Sequence, residues 1–145
     1  MGCDCLQIFS KSPRQWNAPP LDPAKAAALR VAWRASNFAP LVAHDSYLIN
    51  LAAPDEAIRE RSVRAMIDEV ERADALGCDF LVTHCGAHLQ KDCAPALFDN
   101  GATVAPAFAA GEEAGLRRLT ESLRLVLEAT PGARVRIALE NTAGQ

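Results

Sequence analysis

Short, largely apolar runs alternate along the chain with longer stretches whose apolar residues recur every three or four positions. The short runs are Cys5 to Phe9 (CLQIF), Pro40 to Ala43 (PLVA), Asp79 to Thr83 (DFLVT) and Val135 to Leu139 (VRIAL). Each predicts a strand covered on both faces. The longer stretches predict three helices. The first opens at Asp22-Pro23, an N-cap followed by a first-turn proline, and carries Ala26, Leu29, Ala32 and Trp33 on its apolar side. The second runs from about Asp55 to Leu76 with Ile58, Val63, Met66, Ile67, Val70 and Ala73 at helical spacing, and Gly77 is placed to stop it. The third spans Glu112 to Ala129, with Leu116, Leu119, Leu123, Val126 and Leu127 on one face.

Ser10 to Leu21 and Asn141 to Gln145 read as loops, and Gln90 to Gly111, rich in Ala, Pro and Gly, as a long irregular connection. Strands that alternate with helices make an α/β fold with a parallel sheet. No closer internal repeat is visible. The alternation alone leaves two architectures open, a doubly wound sheet or part of a (β/α)₈ barrel.

A chain of 145 residues, half of them hydrophobic, suits one domain over 1–145 with a buried core. Met1 to Gln7 has no basic segment or long apolar run of the secretory kind. No run approaches the roughly 20 apolar residues of a membrane-spanning helix, so a cytoplasmic protein with no membrane partner is the expectation. The net charge of −3 argues against a non-specific nucleic-acid binder, although bound divalent cations would change the local field. The five cysteines are odd in number and irregularly spaced, which fits a reducing compartment rather than a disulfide framework. Cys3 and Cys5 have no usual zinc spacing and are expected to be buried thiols.

Three of the four strands end in a side chain able to bind metal: His44, His84 and Glu140. In parallel α/β folds the ligand site lies beyond the carboxyl ends of the strands, so the three would converge on one rim. Two imidazoles and a carboxylate suit Zn²⁺ and leave a position open. Each alone has an ordinary reading, a loop histidine or a solvated glutamate. Together they weigh more, since two of only three histidines occupy equivalent strand ends.

The wording around these residues goes further. Phe9 to Trp16 (FSKSPRQW), His44 to Leu51 (HDSYLINL), His84 to His88 (HCGAH) and Leu139 to Gln145 (LENTAGQ) occur in that order. Together they resemble the signature segments of the endonuclease IV family, apurinic/apyrimidinic endonucleases with a TIM-barrel fold, and the resemblance spans essentially the whole chain. It implies that His44 and His84 are ligands of one zinc and that Glu140 is a catalytic carboxylate bridging that zinc to a second. Complete enzymes of this kind hold three zinc ions, of which this chain is expected to form at most one site well. They act in base excision repair, cutting double-stranded DNA on the 5′ side of an abasic site to leave a 3′-hydroxyl. The chemistry is multi-metal phosphodiester hydrolysis.

The resemblance also makes Arg14, Tyr47 and Leu48 side chains that enter the duplex where a base is missing, as apolar and aromatic wedges do. Lys11, Ser12 and Gln15 become phosphate contacts that position the duplex. His88 is assigned a place beside the ligands or on the substrate side, and Asp45 the role of a carboxylate that orients a histidine.

Cys85 and Ala87 depart from the family's usual proline and serine, and Gln90 to Gly111 is longer than its usual connection. A full barrel takes about 250 residues, and the four strands here match its second to fifth. The expectation is therefore a partial TIM barrel lacking the first strand and the C-terminal half, with the remaining ligands. Such a chain is expected to be inactive on abasic DNA by itself and to self-associate through uncovered edges. Two other readings stand beside the nuclease: a non-catalytic metal-binding fragment and a sugar isomerase- or epimerase-like barrel. A sugar enzyme has no evident use for Arg14 or for Tyr47-Leu48.

Overall fold

In the computed structural model, which describes residues 3–87 and 106–141, the alternation becomes seven elements. They are β1 (Leu6–Phe9), α1 (Pro23–Ser36), β2 (Leu41–His44), α2 (Glu56–Leu76), β3 (Phe80–His84), α3 (Pro106–Ala129) and β4 (Arg136–Glu140). Each strand starts one residue later than the apolar runs suggest, and His44, His84 and Glu140 close their ladders. Pro40 has no N–H to give a ladder. Asp79 turns its carboxylate onto the Leu41 N–H at 2.8 Å and so ties the start of β2 to that of β3.

The helix ends follow local chemistry. Asp22 Oδ1 accepts from the Ala24 N–H at 2.9 Å and the Lys25 N–H at 3.3 Å, and Asp55 Oδ1 accepts from the Ile58 N–H at 3.0 Å. Gly77 ends α2 at φ 79°, where its own N–H and that of Cys78 satisfy the last carbonyls. One boundary corrects the sequence reading: α3 begins at Pro106, not Glu112. A proline in the first turn and the alanines after it favour helix enough to carry it through Gly111. The rest of the Gln90 to Gly111 stretch, and His88, lie outside the described residues.

All four strands are parallel in the order β1-β2-β3-β4. A doubly wound sheet reverses its direction of growth, and this one does not. With right-handed crossovers, every helix then falls on the same face, which is the arrangement of a barrel wall. The fold is a partial TIM barrel.

Side chains alternate between the two faces. Leu41, Ala43, Leu81 and Thr83 point toward the helices and are fully buried. Leu41, Ala43 and Leu81 share one core with Met66, Val70 and Ala73 of α2 and Leu119 and Val126 of α3. The opposite face carries Val42, Phe80 and Val82, which are only half-buried. The expectation of strands covered on both faces is thus met on the helix side alone. In a closed barrel, side chains from strands across the axis fill the other side.

Two further expectations are corrected. The buried stripe of α3 runs through Gly115, Leu119, Ser122 and Val126, while Leu116 and Leu127 are exposed. Polar anchors set the rotation of this helix: Ser122 Oγ donates to the Leu51 carbonyl at 2.9 Å and Arg118 Nε to that of Ala52 at 2.9 Å. Cys3 and Cys5 are exposed rather than buried, because they precede β1, an outer strand with a single neighbour. Cys78, by contrast, is buried, and burial pushes its thiol up to about 11.

The thiolate is the reactive form, so Cys78 should stay protonated and inert at pH 8. Iodoacetamide is expected to label Cys3 and Cys5 of the native chain at least tenfold faster than Cys78, the gap closing in denaturant. Mass spectrometry of timed digests reads this, and equal native rates would show that the α2–β3 junction is open.

Candidate metal centre

Register determines which side chains meet. His84 pairs directly with Glu140, and His44 pairs with Val82, two residues before His84 on the same face. Phe9 pairs with His44. Four strand-end side chains, Phe9, His44, His84 and Glu140, therefore share the face away from the helices at the carboxyl rim.

There the three polar groups converge. His44 Nε2 lies 3.3 Å from Glu140 Oε2 and His84 Nε2 lies 3.5 Å from the same oxygen. All three donors fall within 4.8 Å of one another, the one such group of three among the described residues. Donor atoms around a tetrahedral cation with bonds of roughly 2.0–2.1 Å stand about 3.3 Å apart. The two histidine–glutamate separations match that edge.

Tautomers sharpen the point. His44 Nδ1 faces the Asp45 backbone carbonyl at 3.0 Å, a contact that requires the proton on Nδ1. Nε2 then presents a lone pair toward a carboxylate oxygen, and two acceptors at that distance need a metal ion or a shared proton between them.

The surroundings hold His44 in place. Asp45 Oδ1 sits 3.5 Å from His44 Nδ1, and its Oδ2 accepts from Thr83 Oγ1 at 2.6 Å. Burial pushes the Asp45 carboxyl up to about 7, against the opposing pull of the Thr83 hydrogen bond and the His44 ring. The structure places Asp45 beside the His44 ring and adds Thr83, which nothing in the motif singled out. It also adds Phe9, whose ring lies 5.5 Å from His44 and 5.6 Å from Tyr47. Its position as the last residue of a strand, like the three converging donors, was the available signal.

Tyr47 is exposed, with its ring 5.7 Å from His44 and 6.3 Å from His84. Leu48 beside it is half-buried, and Ser12, Arg14 and Gln15 are exposed in the loop after β1. The two loops are joined: the Pro13 carbonyl accepts from the Tyr47 N–H at 3.0 Å and from Ser46 Oγ at 2.9 Å.

Lys11 is a correction. Its side chain is only 2% exposed, and its ammonium pairs with Asp68 at 2.5 Å and Glu69 at 3.6 Å, so it does not face a phosphate. Ser10 Oγ donates to Glu69 Oε2 at 2.6 Å. Burial raises the Glu69 carboxyl, while Ser10 and Lys11 oppose the rise. Arg61 lies 4.3 Å over the Trp16 ring, and Arg72 donates to the Pro19 carbonyl at 3.0 Å. One face of α2 thus holds the loop that carries Arg14. A cleft of about 360 Å³ lined by Arg30, Trp33, Arg34 and Phe38 touches none of the three converging donors.

The chain matches the family model described as xylose isomerase-like TIM barrel over residues 1–145. It is 41% identical over 145 residues to a probable endonuclease 4 of Chloroflexus aurantiacus, covering all of this chain and 44% of that protein. Endonuclease IV from Thermus thermophilus superposes with a TM-score of 0.73 at 32% identity, over 98% of this chain and 43% of that one. A D-tagatose 3-epimerase-like protein superposes with a TM-score of 0.63 at 19% identity, over 100% of this chain and 46% of that one, a likeness of fold alone. The chain therefore spans less than half the length of these proteins.

Lys11→Ala would leave Glu69 buried without its cation. Asp68 is 43% exposed and stays solvated, so a loss of roughly 3 kcal/mol, the lower end for a broken buried pair, is expected. Arg14→Ala, at an exposed position, should cost about 0.5 kcal/mol or less. Urea unfolding of the two variants decides it, and equal small losses would contradict the tether.

Proposed function

This chain belongs to the xylose isomerase-like TIM-barrel family, and from that membership and the centre at its carboxyl rim we infer its role. It forms part of a zinc-dependent DNA-repair phosphodiesterase that cuts 5′ to abasic sites. The observation that carries the reading is the convergence of His44, His84 and Glu140 within 4.8 Å. Two nitrogens and an oxygen at that spacing fit zinc with a position to spare. Zinc bound there would supply a Lewis acid and an activated water for phosphodiester hydrolysis.

The chain's own residues prepare that chemistry. Asp45 holds the proton of His44 on Nδ1 through its carbonyl, which fixes Nε2 as the donor. Both histidine contacts use Oε2 of Glu140, so this carboxylate would have a second oxygen to offer if a further ion were bound. Beside the centre, exposed Tyr47 and Arg14 stand on loops joined through Pro13. An aromatic and a guanidinium there suit a duplex already weakened by a missing base. Ser12 and Gln15 remain as groups for phosphates, and Lys11 serves as the anchor of their loop.

The relatives that match at 41% and 32% identity are named as endonucleases, which supports DNA rather than a sugar as the substrate. No helix among the described residues is long and apolar enough to cross a membrane.

In the full-length protein, His84→Ala is expected to lose bound zinc and to slow nicking of a duplex with one abasic analogue by about a hundredfold or more. Tyr47→Ala should keep its zinc and bind that duplex about tenfold more weakly, the scale of one lost stacking contact. Elemental analysis beside the nicking assay reads both. Full zinc and full rate in His84→Ala would overturn the assignment.

A further inference from the structure

Asn50 carries more hydrogen bonds than a loop residue needs. Its Oδ1 accepts from the N–H of Ala52 and from the N–H of Ala87, each at 3.1 Å, and its Nδ2 donates to the Ala87 carbonyl at 2.9 Å. The side-chain amide thus pairs with both polar groups of one main-chain residue, as a neighbouring strand would. Asn50 is itself held from behind: its N–H donates to Ser62 Oγ at 3.0 Å, and that hydroxyl donates to the Ile58 carbonyl at 2.8 Å. The first turns of α2 therefore fix Asn50, and Asn50 fixes the chain three residues beyond His84.

Gly86, between them, shows how close the fit is. It adopts φ +83°, and a Cβ there would lie 2.4 Å from Asn50 Oδ1. Both the backbone conformation and the lack of room restrict this position to glycine. Neither bond to residue 87 uses its side chain, so alanine serves as well as serine.

We propose that Asn50 is a positioning residue of the metal centre: by clamping the Ala87 main chain it sets the direction in which the backbone leaves His84 and so fixes that imidazole relative to His44 and Glu140. This rests on the metal reading above. A ligand left on a free strand end samples many orientations, and groups that hold ligands in place typically account for tenfold to a hundredfold in metal affinity.

Cobalt(II) is the probe, because its visible spectrum reports ligand geometry. In this chain, Asn50→Ala is expected to bind cobalt roughly tenfold more weakly, to change the band shape, and to lose hydrogen-exchange protection at the Ala87 amide. Asn50→Asp keeps both acceptor bonds but sets a carboxylate oxygen against the Ala87 carbonyl where the donor stood, so it too should weaken binding and change the band shape; it carries the test if Asn50→Ala does not fold. Ala87→Ser should match the unaltered chain. Leu76→Ala loosens the core at the end of α2, away from the carboxyl rim, and should lower the unfolding midpoint while leaving the spectrum unchanged. An unchanged spectrum and affinity in both Asn50 variants would overturn the proposal, as would an equal spectral change in Leu76→Ala. No cobalt uptake by the unaltered chain would overturn the metal reading and Asn50's role at a metal with it, and Ala87 exchange would then show separately whether the clamp exists.

Discussion

The site depends on strand register. His84 opposite Glu140 and His44 opposite Val82 put three metal-binding groups on one face, and strand side chains alternate with a period of two. A slip of one residue in either pairing would turn one of these donors into the helix layer. The core resists such a slip, because it would carry Leu41, Ala43, Leu81 or Thr83, all fully buried, onto the uncovered face. Hydrophobic packing on one side of the sheet thus secures polar geometry on the other.

Helix α2 is the second support. It packs on the sheet through Met66, Val70 and Ala73 and turns charged and polar groups toward both loops at the carboxyl rim. Asp68 and Glu69 hold Lys11 and Ser10, Arg61 covers Trp16, and Arg72 reaches Pro19. Ser62, near its start, holds Asn50. Buried ionic groups of this kind stabilise little beyond their desolvation cost. Their use here is directional: they set where two exposed loops stand relative to His44, His84 and Glu140.

Features written in local chemistry were legible in the sequence. Asp22, Asp55 and Gly77 marked helix ends because capping needs only near neighbours. The convergence of the three strand-end donors was legible because a short strand between helices declares its own carboxyl end. The resemblance carried by four short segments extends over residues 1–145. Features that depend on distant partners were hidden. Lys11 looked like a phosphate contact, and its partner Asp68 is 57 positions away. The five-residue apolar face of α3 gave no sign that Ser122 and Arg118 would bond the β2–α2 loop and turn Leu116 and Leu127 outward. Asn50 and Glu69 were missed for the same reason.

The central claim is that one cation is held jointly by side chains from three consecutive strands. Anomalous diffraction at the zinc edge, on crystals of the full-length protein, tests it most directly. The expected map shows a zinc peak about 2.0–2.1 Å from a ring nitrogen of His44 and one of His84, and about 2.0–2.2 Å from a carboxylate oxygen of Glu140. A peak bound without both imidazoles, or zinc only at surface carboxylates while these three groups stay empty, would contradict the account.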